Sequence, residues 1–133
     1  MSQIPLPQPT DISRPHWEGC REGKLRVQRC GDCEAFVFIP QPLCTNCQSR
    51  SLEWVESSGR GSIYSLTTVH RPQRPEFDVP YTVAIVELDE GWYMLSNLID
   101  CSDEQRRIGQ AVEVCFEKMS DEITLPYFRP AAR

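Results

Sequence analysis

The chain has 133 residues, of which 40% are hydrophobic and 25% charged, a composition typical of one folded domain or two small ones. No stretch approaches the ~18 consecutive apolar residues of a membrane helix, and the first residues lack the basic start and apolar run of a secretory signal. We therefore expect a cytoplasmic protein without a membrane partner. The formal net charge of -5 argues against nucleic acid as the main partner, because phosphate-binding surfaces are usually basic.

A short helix is predicted after a proline-rich lead-in. Ser13 is the expected N-cap, with its hydroxyl accepting hydrogen bonds from the free amides of the first turn. Trp17, Cys20 and Lys24 would then lie on one face, and Gly23 would end the helix. Because so short a helix is marginal alone, we expect Trp17 to anchor it to the rest of this chain or to a partner.

Three short strands are predicted next, in the segments KLRVQRC, EAFVF and SLEWVE. Leu25 and Val27 alternate with polar residues in the first strand, and Phe36 and Phe38 share one face of the second. Two prolines then stop the second strand. Short strands with a cysteine pair at each of two turns are typical of a zinc ribbon.

Four of the seven cysteines form two Cys-x-x-Cys pairs, with ten residues between the pairs. Two such turns can point four thiolates at one ion, so the predicted metal ligands are Cys30, Cys33, Cys44 and Cys47. Four soft ligands suit Zn²⁺ in a closed structural site, and iron remains an alternative metal for the same set. The odd cysteine count and a reducing cytoplasm disfavour a disulfide framework, and a thioredoxin-like redox site would need only one pair.

The second half of the chain is rich in β-branched and aromatic residues and predicts strands at residues 61–71, 80–88, 92–99, 111–119 and 122–128. Between the third and fourth of these, Ser102 and Gln105 form a capping box that predicts a short helix ended by Gly109. Pro126 should confine the last strand to an edge or place the proline at its end. Three strands, a short helix and two strands is the order of an OB-fold, a five-stranded Greek-key barrel.

The predicted fold class is therefore mainly β: an N-terminal helix, a zinc ribbon and a five-stranded OB-fold barrel. We place the N-terminal extension and helix at residues 1–26, the ribbon at residues 27–56 and the barrel at residues 57–133. The GRG segment at residues 59–61 is interpreted as a flexible joint between ribbon and barrel.

No catalytic constellation is visible in the sequence. It contains no G-x-S-x-G elbow, no P-loop and no dinucleotide fingerprint. The two histidines are interpreted as a packing or capping residue, His16, and a strand-end residue, His70. Cys20, Cys101 and Cys115 lack partner spacing and are expected to act as small hydrophobic side chains. From its residues alone, the chain is a binding or scaffolding module with no catalytic residue of its own.

From about residue 13 to residue 130, the chain resembles the DUF35 family. The motifs that carry the resemblance are HWEGCREGKL, the two cysteine turns with FIPQPLC between them, EWVESSGRGSIYSLTTVHR, PYTVAIVELDEG, IGQAVEVCFE and LPYF. The resemblance implies a rubredoxin-like zinc ribbon followed by an OB-fold. The family often has a glycine after each cysteine pair to ease the turn, whereas this chain has Glu34 and Gln48.

The resemblance also implies a function. Members of this family are commonly small partner subunits of thiolase-like enzymes that act on acyl-CoA esters, among them thiolases, acyltransferases and retro-aldolases. The thiolase-fold subunit carries the catalytic residues, and the DUF35 subunit supports assembly, activity and the acyl-CoA entrance. We therefore expect a hetero-oligomer whose ligand is a CoA ester. Aromatic side chains are usual anchors of such interfaces, and the candidates are Trp17, Trp54, Trp92, Tyr93 and Phe128, with Trp54 and Trp92 expected in the core.

Three arginines near the joint and in the 71–80 loop are candidate contacts to CoA phosphates: Arg60, Arg71 and Arg74. Two alternative functions remain open. A nucleic-acid-binding ribbon and OB module would bind single strands in a salt-dependent manner. A stand-alone acyl-CoA-binding protein would bind CoA esters as an isolated chain.

Overall fold

The computed structural model describes residues 4–131. The outermost residues of the first and third predicted units, 1–3 and 132–133, lie outside the described residues. Within residues 4–131, no helix has both the length and the apolar character needed to cross a bilayer. The elements in chain order are α1 Arg14–Arg21, β1 Leu25–Cys30, β2 Phe36–Val37, β3 Leu52–Ser57, β4 Arg60–Val69, β5 Tyr81–Leu88, β6 Tyr93–Leu98, β7 Ala111–Lys118 and β8 Thr124–Pro130.

The first three strands form a small antiparallel sheet in the order β2-β1-β3. β1 is the central strand and pairs along its whole length with β3, from Leu25 opposite Ser57 to Cys30 opposite Leu52. β2 is only two residues long, because the chain turns away after Val37 towards the prolines that the sequence places there. This sheet delivers Cys30 at the end of β1, where the first cysteine turn begins.

The other five strands close into a barrel in the order β4-β5-β6-β8-β7, with β7 pairing back onto β4. The mainly β fold class is confirmed, as are the ribbon and the five-stranded OB-type barrel. Between Ile63 and Ser65 the β4–β5 register shifts, so Tyr64 is an extra residue in a β-bulge. Closure leaves little free strand edge in the barrel, which protects it against edge-to-edge aggregation.

The barrel is weakest along the seam between β6 and β8. Within the described residues these strands pair in parallel at one position only, Leu98 opposite Phe128. Pro126 lies inside β8, opposite Phe116 of β7, and has no backbone N–H to donate towards β6. The Pro126 carbonyl instead accepts a hydrogen bond from the side chain of Ser96 on β6. The proline therefore interrupts pairing on one side of an interior strand. The sequence predicted instead that the strand would lie at an edge or that the proline would lie at its end.

Ribbon and barrel share one hydrophobic core. Leu25 and Val27 of β1 are buried in the same cluster as Trp92, which precedes β6, and residues from every barrel strand: Ile63, Ala84, Val86, Leu88, Met94, Leu98, Val112 and Phe128. Full burial of one aliphatic side chain stabilises a protein by about 1.5–3 kcal/mol, so these two ribbon residues alone attach the ribbon by several kcal/mol. Trp92 lies in the core as expected, whereas Trp54 is only half-buried on β3. Phe128 is as buried as Trp92 and is not an interface anchor.

The N-terminal helix forms as predicted, with a different cap and a different buried face. The Ser13 hydroxyl makes no cap hydrogen bond to α1; it accepts one from the backbone N–H of Thr10 at 2.9 Å instead. The buried positions of α1 are His16, Gly19 and Cys20. Of the predicted face, Cys20 is buried, Trp17 is half-buried and Lys24 is exposed beyond the end of the helix. Gly19 is required here, because a Cβ at that position would lie 2.8 Å from the carbonyl oxygen of Lys24.

The predicted helix after Ser102 is wrong. The capping box itself forms, since the N–H of Ser102 donates to the Gln105 side chain at 3.1 Å and the N–H of Gln105 donates to the Ser102 hydroxyl at 3.3 Å. The chain then continues in turns, and the N–H of Gly109 donates to the carbonyl of Ile63 on β4 at 2.8 Å. Hydrogen bonding to the barrel thus replaces the helical hydrogen bonds that a capping box normally begins.

The GRG segment is not a flexible joint. Only Ser58 and Gly59 separate β3 from β4, and the N–H of Val114 donates to the carbonyl of Gly59 at 2.7 Å. Gly59 has φ +73, and a Cβ there would overlap the Val114 side chain. A Cβ at Gly61 would overlap the carbonyl oxygen of Glu87. Both glycines are therefore needed for close backbone packing, which holds the ribbon in a fixed position against the barrel.

Candidate metal centre

Two equivalent turns carry the cysteine pairs. In the first, the N–H of Glu34 donates to the carbonyl of Cys30 at 3.0 Å, and the N–H of Cys30 donates to the carbonyl of Ala35 at 2.8 Å. In the second, the N–H of Gln48 donates to the carbonyl of Cys44, and the N–H of Cys44 to the carbonyl of Ser49, both at 2.9 Å. The same four-residue spacing therefore folds twice into the same knuckle, which explains why both pairs have two intervening residues.

Each knuckle ends in a residue with left-handed backbone. Glu34 has φ 66 and Gln48 has φ 65, and these are the two positions where the resemblance places glycine in other sequences. A side chain in this conformation costs of order 1–2 kcal/mol, so both turns are strained. The knuckle geometry is kept despite the two substitutions. The Glu34 carboxylate lies 3.2 Å from the Arg29 guanidinium, in a largely exposed ion pair that contributes little to stability.

The four sulfurs converge on one point. They all lie within 4.8 Å of one another, with the Sγ atoms of Cys30 and Cys47 and those of Cys33 and Cys44 each 3.6 Å apart. A tetrahedral site with metal–sulfur bonds of about 2.3 Å places its sulfurs about 3.8 Å apart. The first cysteine of each pair is buried and the second is more exposed. The cluster therefore fits a four-coordinate metal ion with no vacant position for a substrate.

Hydrogen bonds prepare the sulfurs for a cation. The side-chain amide of Asn46, 3.4 Å from the Cys33 sulfur, is the largest of several influences that lower the pKa of Cys33 to about 6. The backbone N–H of Cys33 is the main cause of the lowered pKa of Cys30. At Cys47 the backbone N–H of Ser49 lowers the pKa, but the neighbouring thiols and burial outweigh it and raise the pKa to about 12. Four adjacent thiolates repel one another, and a divalent cation removes that repulsion.

The three predicted arginines lie at two ends of β4. Arg60 is the first residue of that strand, and Arg71 and Arg74 are exposed in the loop of residues 70–80 that follows it. Ten residues of strand have a contour of about 30 Å. Arg74 is paired with Glu76, whose carboxylate lies 2.9 Å from its guanidinium. The three side chains therefore belong to two separate surfaces, and a contact of any of them with CoA remains a prediction.

The other candidate residues have structural surroundings. His16 is buried, its ring is in edge contact with Phe38 and Trp17, and burial lowers its pKa despite an opposing effect of the Arg26 backbone. His70 is exposed beyond the end of β4. Burial raises the pKa of Cys20 to about 12, so it is an unreactive thiol at neutral pH. Cys101 and Cys115 are half-buried, and burial is the main cause of their raised pKa values.

The sequence did not reveal an apolar groove between the ribbon and the barrel. The groove has a volume of about 380 Å³ and is lined by α1, by the loop after β2 and by the open seam between β6 and β8. Phe38 and Pro40 of the loop face Met94 of β6 and Tyr127 of β8 across it. The FIPQP run in the sequence is the one local signal, because it predicts a strand that stops in an apolar turn.

Two family models match consecutive parts of the chain. The first is the ChsH2 rubredoxin-like zinc ribbon domain, matched by residues 17–53, and the second is the ChsH2 C-terminal OB-fold domain, matched by residues 54–117. They divide the chain at β3, the strand that leads from the ribbon into the barrel.

Several proteins are similar in sequence to the chain. It is 37% identical over 115 residues to a probable enoyl-CoA hydratase alpha subunit of Thermomonospora curvata, covering 86% of this chain but only 36% of that relative. A DUF35 domain-containing scaffold protein of Pyrococcus furiosus is 34% identical over 117 residues, 86% of this chain and 84% of the relative. The benzoylsuccinyl-CoA thiolase subunit BbsA of Geobacter metallireducens is 34% identical over 74 residues, 56% of this chain and 49% of the subunit.

A solved structure agrees with this grouping. A chain of the Ltp2-ChsH2(DUF35) aldolase superimposes with a TM-score of 0.85 at 35% identity, covering 96% of this chain and all of that chain. The ribbon and the barrel are thus shared with proteins of one group over almost the whole chain. The chain belongs to the DUF35 family.

Proposed function

We propose that this chain is a non-catalytic, zinc-binding subunit of a thiolase-like acyl-CoA enzyme, either a thiolase, an acyltransferase or a retro-aldolase, and that it is needed for assembly of the complex. The observation that carries the proposal is the closed four-sulfur cluster, which stiffens a ribbon packed into the same core as the barrel. Such a centre can hold a surface in shape but offers no coordination position for chemistry. The names of the relatives support an acyl-CoA enzyme as the partner.

The metal in this proposal is Zn²⁺, held by Cys30, Cys33, Cys44 and Cys47. Zinc suits a tetrahedral set of thiolates and has no redox chemistry, which is what a structural site requires. Metal analysis of the protein purified without chelator should give one zinc per chain. Iron in the site would instead give a red protein with visible ferric–thiolate absorption. In that case the metal of the proposal would be iron.

The partner is tested by affinity purification from the native host. A tagged chain should retain a thiolase-fold protein through gel filtration, and mass spectrometry should identify it in a fixed ratio to the tagged chain. A chain that elutes alone at every salt concentration would contradict the proposed function. Retention of single-stranded nucleic acid that falls steeply with salt would favour the alternative of a nucleic-acid-binding module.

A further inference from the structure

Four large apolar side chains are exposed side by side where the ribbon meets the barrel. Ile39 of the ribbon loop is 69% exposed, Leu95 of β6 is 65% exposed, Tyr64 is 55% exposed and Tyr93 is 45% exposed. Ile39, Tyr93 and Leu95 border one shallow depression, and the rings of Tyr64 and Tyr93 contact each other at a centroid distance of 5.0 Å. We call these four residues the junction face.

Two depressions flank the junction face. One is the groove of about 380 Å³ described above. The other, of about 480 Å³, is lined by three residues of the face and by three neighbours: Ile39, Tyr93, Leu95, Phe38, Ile85 and Met94. Ile39 and Leu95 lie on the border between the two and line both. Exposed apolar residues on a soluble domain are usually scattered singly. A contiguous apolar surface of this kind therefore indicates a site of interaction.

The junction face is held rigid from below. The ring of Phe38, next to Ile39 in the chain, packs on the core residue Trp92 at 5.2 Å and on His16 of α1 at 5.6 Å. Tyr64 is directed to the face by the bulge in β4. A preformed apolar surface loses little side-chain freedom on association, which favours its use as a binding surface.

The polar border of the junction face is acidic. Glu87 is opposite Tyr93 in the β5–β6 pair, and its charge is the main cause of the raised pKa of the Tyr93 hydroxyl. Glu90 lines a further depression that ends at the same tyrosine, and so does Glu34, whose charge is partly compensated by Arg29. Together with the formal net charge of -5, this border would repel an acidic surface and attract a basic one.

We propose that the junction face is the surface that binds the thiolase-fold subunit, and that it receives an apolar patch of that subunit bordered by lysine or arginine residues. This inference rests on the proposed function. Ile39 and Leu95 form the centre of the interface, where apolar side chains of the enzyme enter the two depressions. Glu87 lies at the rim and interacts with the basic border. The metal ion acts on the interface indirectly, through the ribbon loop that presents Ile39.

Binding of the purified thiolase-fold subunit, identified by its co-purification with the wild-type chain, tests the face directly. Ile39→Asp and Leu95→Asp should each raise the dissociation constant at least 30-fold, because each buries an unpaired charge at the centre of the interface. Val79→Asp is the matched control. Val79 is an exposed aliphatic residue in the loop before β5. It lies six residues, or about 20 Å of strand, from Ile85, which lines the second depression. Its replacement should therefore leave the affinity unchanged.

A second measurement covers the case in which a variant fails to fold. A photo-crosslinking side chain placed at Leu95 in the zinc-loaded wild-type background should form a crosslink to the enzyme subunit, and the same side chain at Val79 should not. Glu87→Lys should slow association and reverse the dependence of the association rate on salt. Zinc content and thermal unfolding of each variant verify that the fold is intact.

The outcomes separate this inference from the proposed function. If the wild-type chain binds the enzyme and both aspartate variants bind equally well, the inference is wrong and the proposed function stands. If no thiolase-fold protein binds the wild-type chain, both are wrong. If the isolated chain self-associates and Leu95→Asp makes it monomeric, the occupant is a second copy. If the isolated chain binds acyl-CoA and Leu95→Asp abolishes that binding, the occupant is a small molecule, and the inference is overturned in the same way.

Discussion

The carboxylate of Glu90, in the turn between β5 and β6, accepts a hydrogen bond of 2.8 Å from the hydroxyl of Ser57, the last residue of β3. The backbone N–H of Ser58 donates to the same carboxylate at 2.7 Å, and the indole N–H of Trp92 donates to the Ser57 hydroxyl at 3.3 Å. One barrel turn therefore holds the last residue of the ribbon sheet and the start of the connection to β4. This link fixes the angle between the two parts of the junction face.

Glu90 should make the protein sensitive to acid. Burial raises the pKa of Glu90, but the hydrogen bonds from Ser58 and Ser57 outweigh burial and lower the folded-state pKa. The stabilisation is therefore present above the unfolded-state pKa of about 4.3 and is lost as the pH falls through the lower folded-state value. Glu90→Gln should reduce the free energy of unfolding by about 1 kcal/mol at pH 7, a value at the low end for a charged hydrogen bond because the carboxylate is partly exposed.

Urea unfolding at pH 7 and pH 3 measures this effect. The difference in stability between wild type and Glu90→Gln should shrink as the pH falls. Glu56→Gln, an exposed position on β3, is the control and should behave like wild type at both values. An unchanged difference at pH 3 would show that the Glu90 carboxylate contributes nothing to stability through its charge.

Removal of one sulfur should unfold the ribbon and leave much of the barrel folded. Cys33→Ser eliminates one of four ligands, and metal binding to small zinc modules supplies on the order of 10–16 kcal/mol of apparent folding energy. Metal analysis should show loss of zinc. Hydrogen exchange should show the largest loss of protection in β1 to β3 and a smaller loss in β4 to β8, because the barrel core includes Leu25 and Val27 of β1. Cys115→Ser, which changes a half-buried thiol of β7, should retain one zinc per chain.

Replacing the residue with left-handed backbone in the second knuckle by glycine should make the protein more stable. Gln48 has φ 65, a conformation that glycine adopts without steric conflict, so Gln48→Gly should stabilise the zinc-bound protein by roughly 1 kcal/mol. Gln48→Ala keeps a Cβ and should show no such gain. Thermal unfolding of the zinc-loaded proteins compares the three chains. A glycine variant with a lower melting temperature than wild type would mean that the glutamine side chain stabilises the turn by contacts that outweigh the strain.

Gly61 should tolerate no side chain. A Cβ at this position would overlap the carbonyl oxygen of Glu87 across the β4–β5 pair, and backbone atoms cannot move away as a flexible side chain could. Gly61→Ala should therefore reduce the free energy of unfolding by a few kcal/mol, measured in urea. Gly31→Ala is the milder comparison, because its Cβ would lie 3.4 Å from the nearest carbonyl oxygen. Equal stabilities for the two variants would contradict the close approach of β4 and β5.

The strands and the cysteine turns were predictable because each depends on local residues. Alternating apolar positions define β1, and the two-residue spacing within each cysteine pair defines the knuckles. The predicted helix after Ser102 failed because its capping signal is also local, whereas the hydrogen bond from Gly109 to Ile63 that replaces it is not. Sequence patterns describe an element alone and cannot include a partner that is distant in the chain.

The junction face is not visible in the sequence for the same reason. Ile39 and Leu95 are separated by more than fifty residues, and each could be a core residue by its type alone. They become neighbours only in the folded chain, where the loop after β2 lies beside β6 and both residues line the same two depressions. Phe128 shows the opposite error, since an aromatic residue expected at an interface lies in the core.

The most direct test of the central claim, that this chain is a zinc-stiffened partner and not itself an enzyme, is acyl-CoA turnover in a reconstituted system. Turnover should be measured for the purified chain alone, for the proposed thiolase-fold partner alone, and for the two combined. In a fourth sample Cys33→Ser replaces the wild-type chain. The account predicts no turnover by the chain alone, full activity only for the combined wild-type proteins, and a large loss with Cys33→Ser. Turnover by the isolated chain, or full activity without its zinc ligand, would contradict the account.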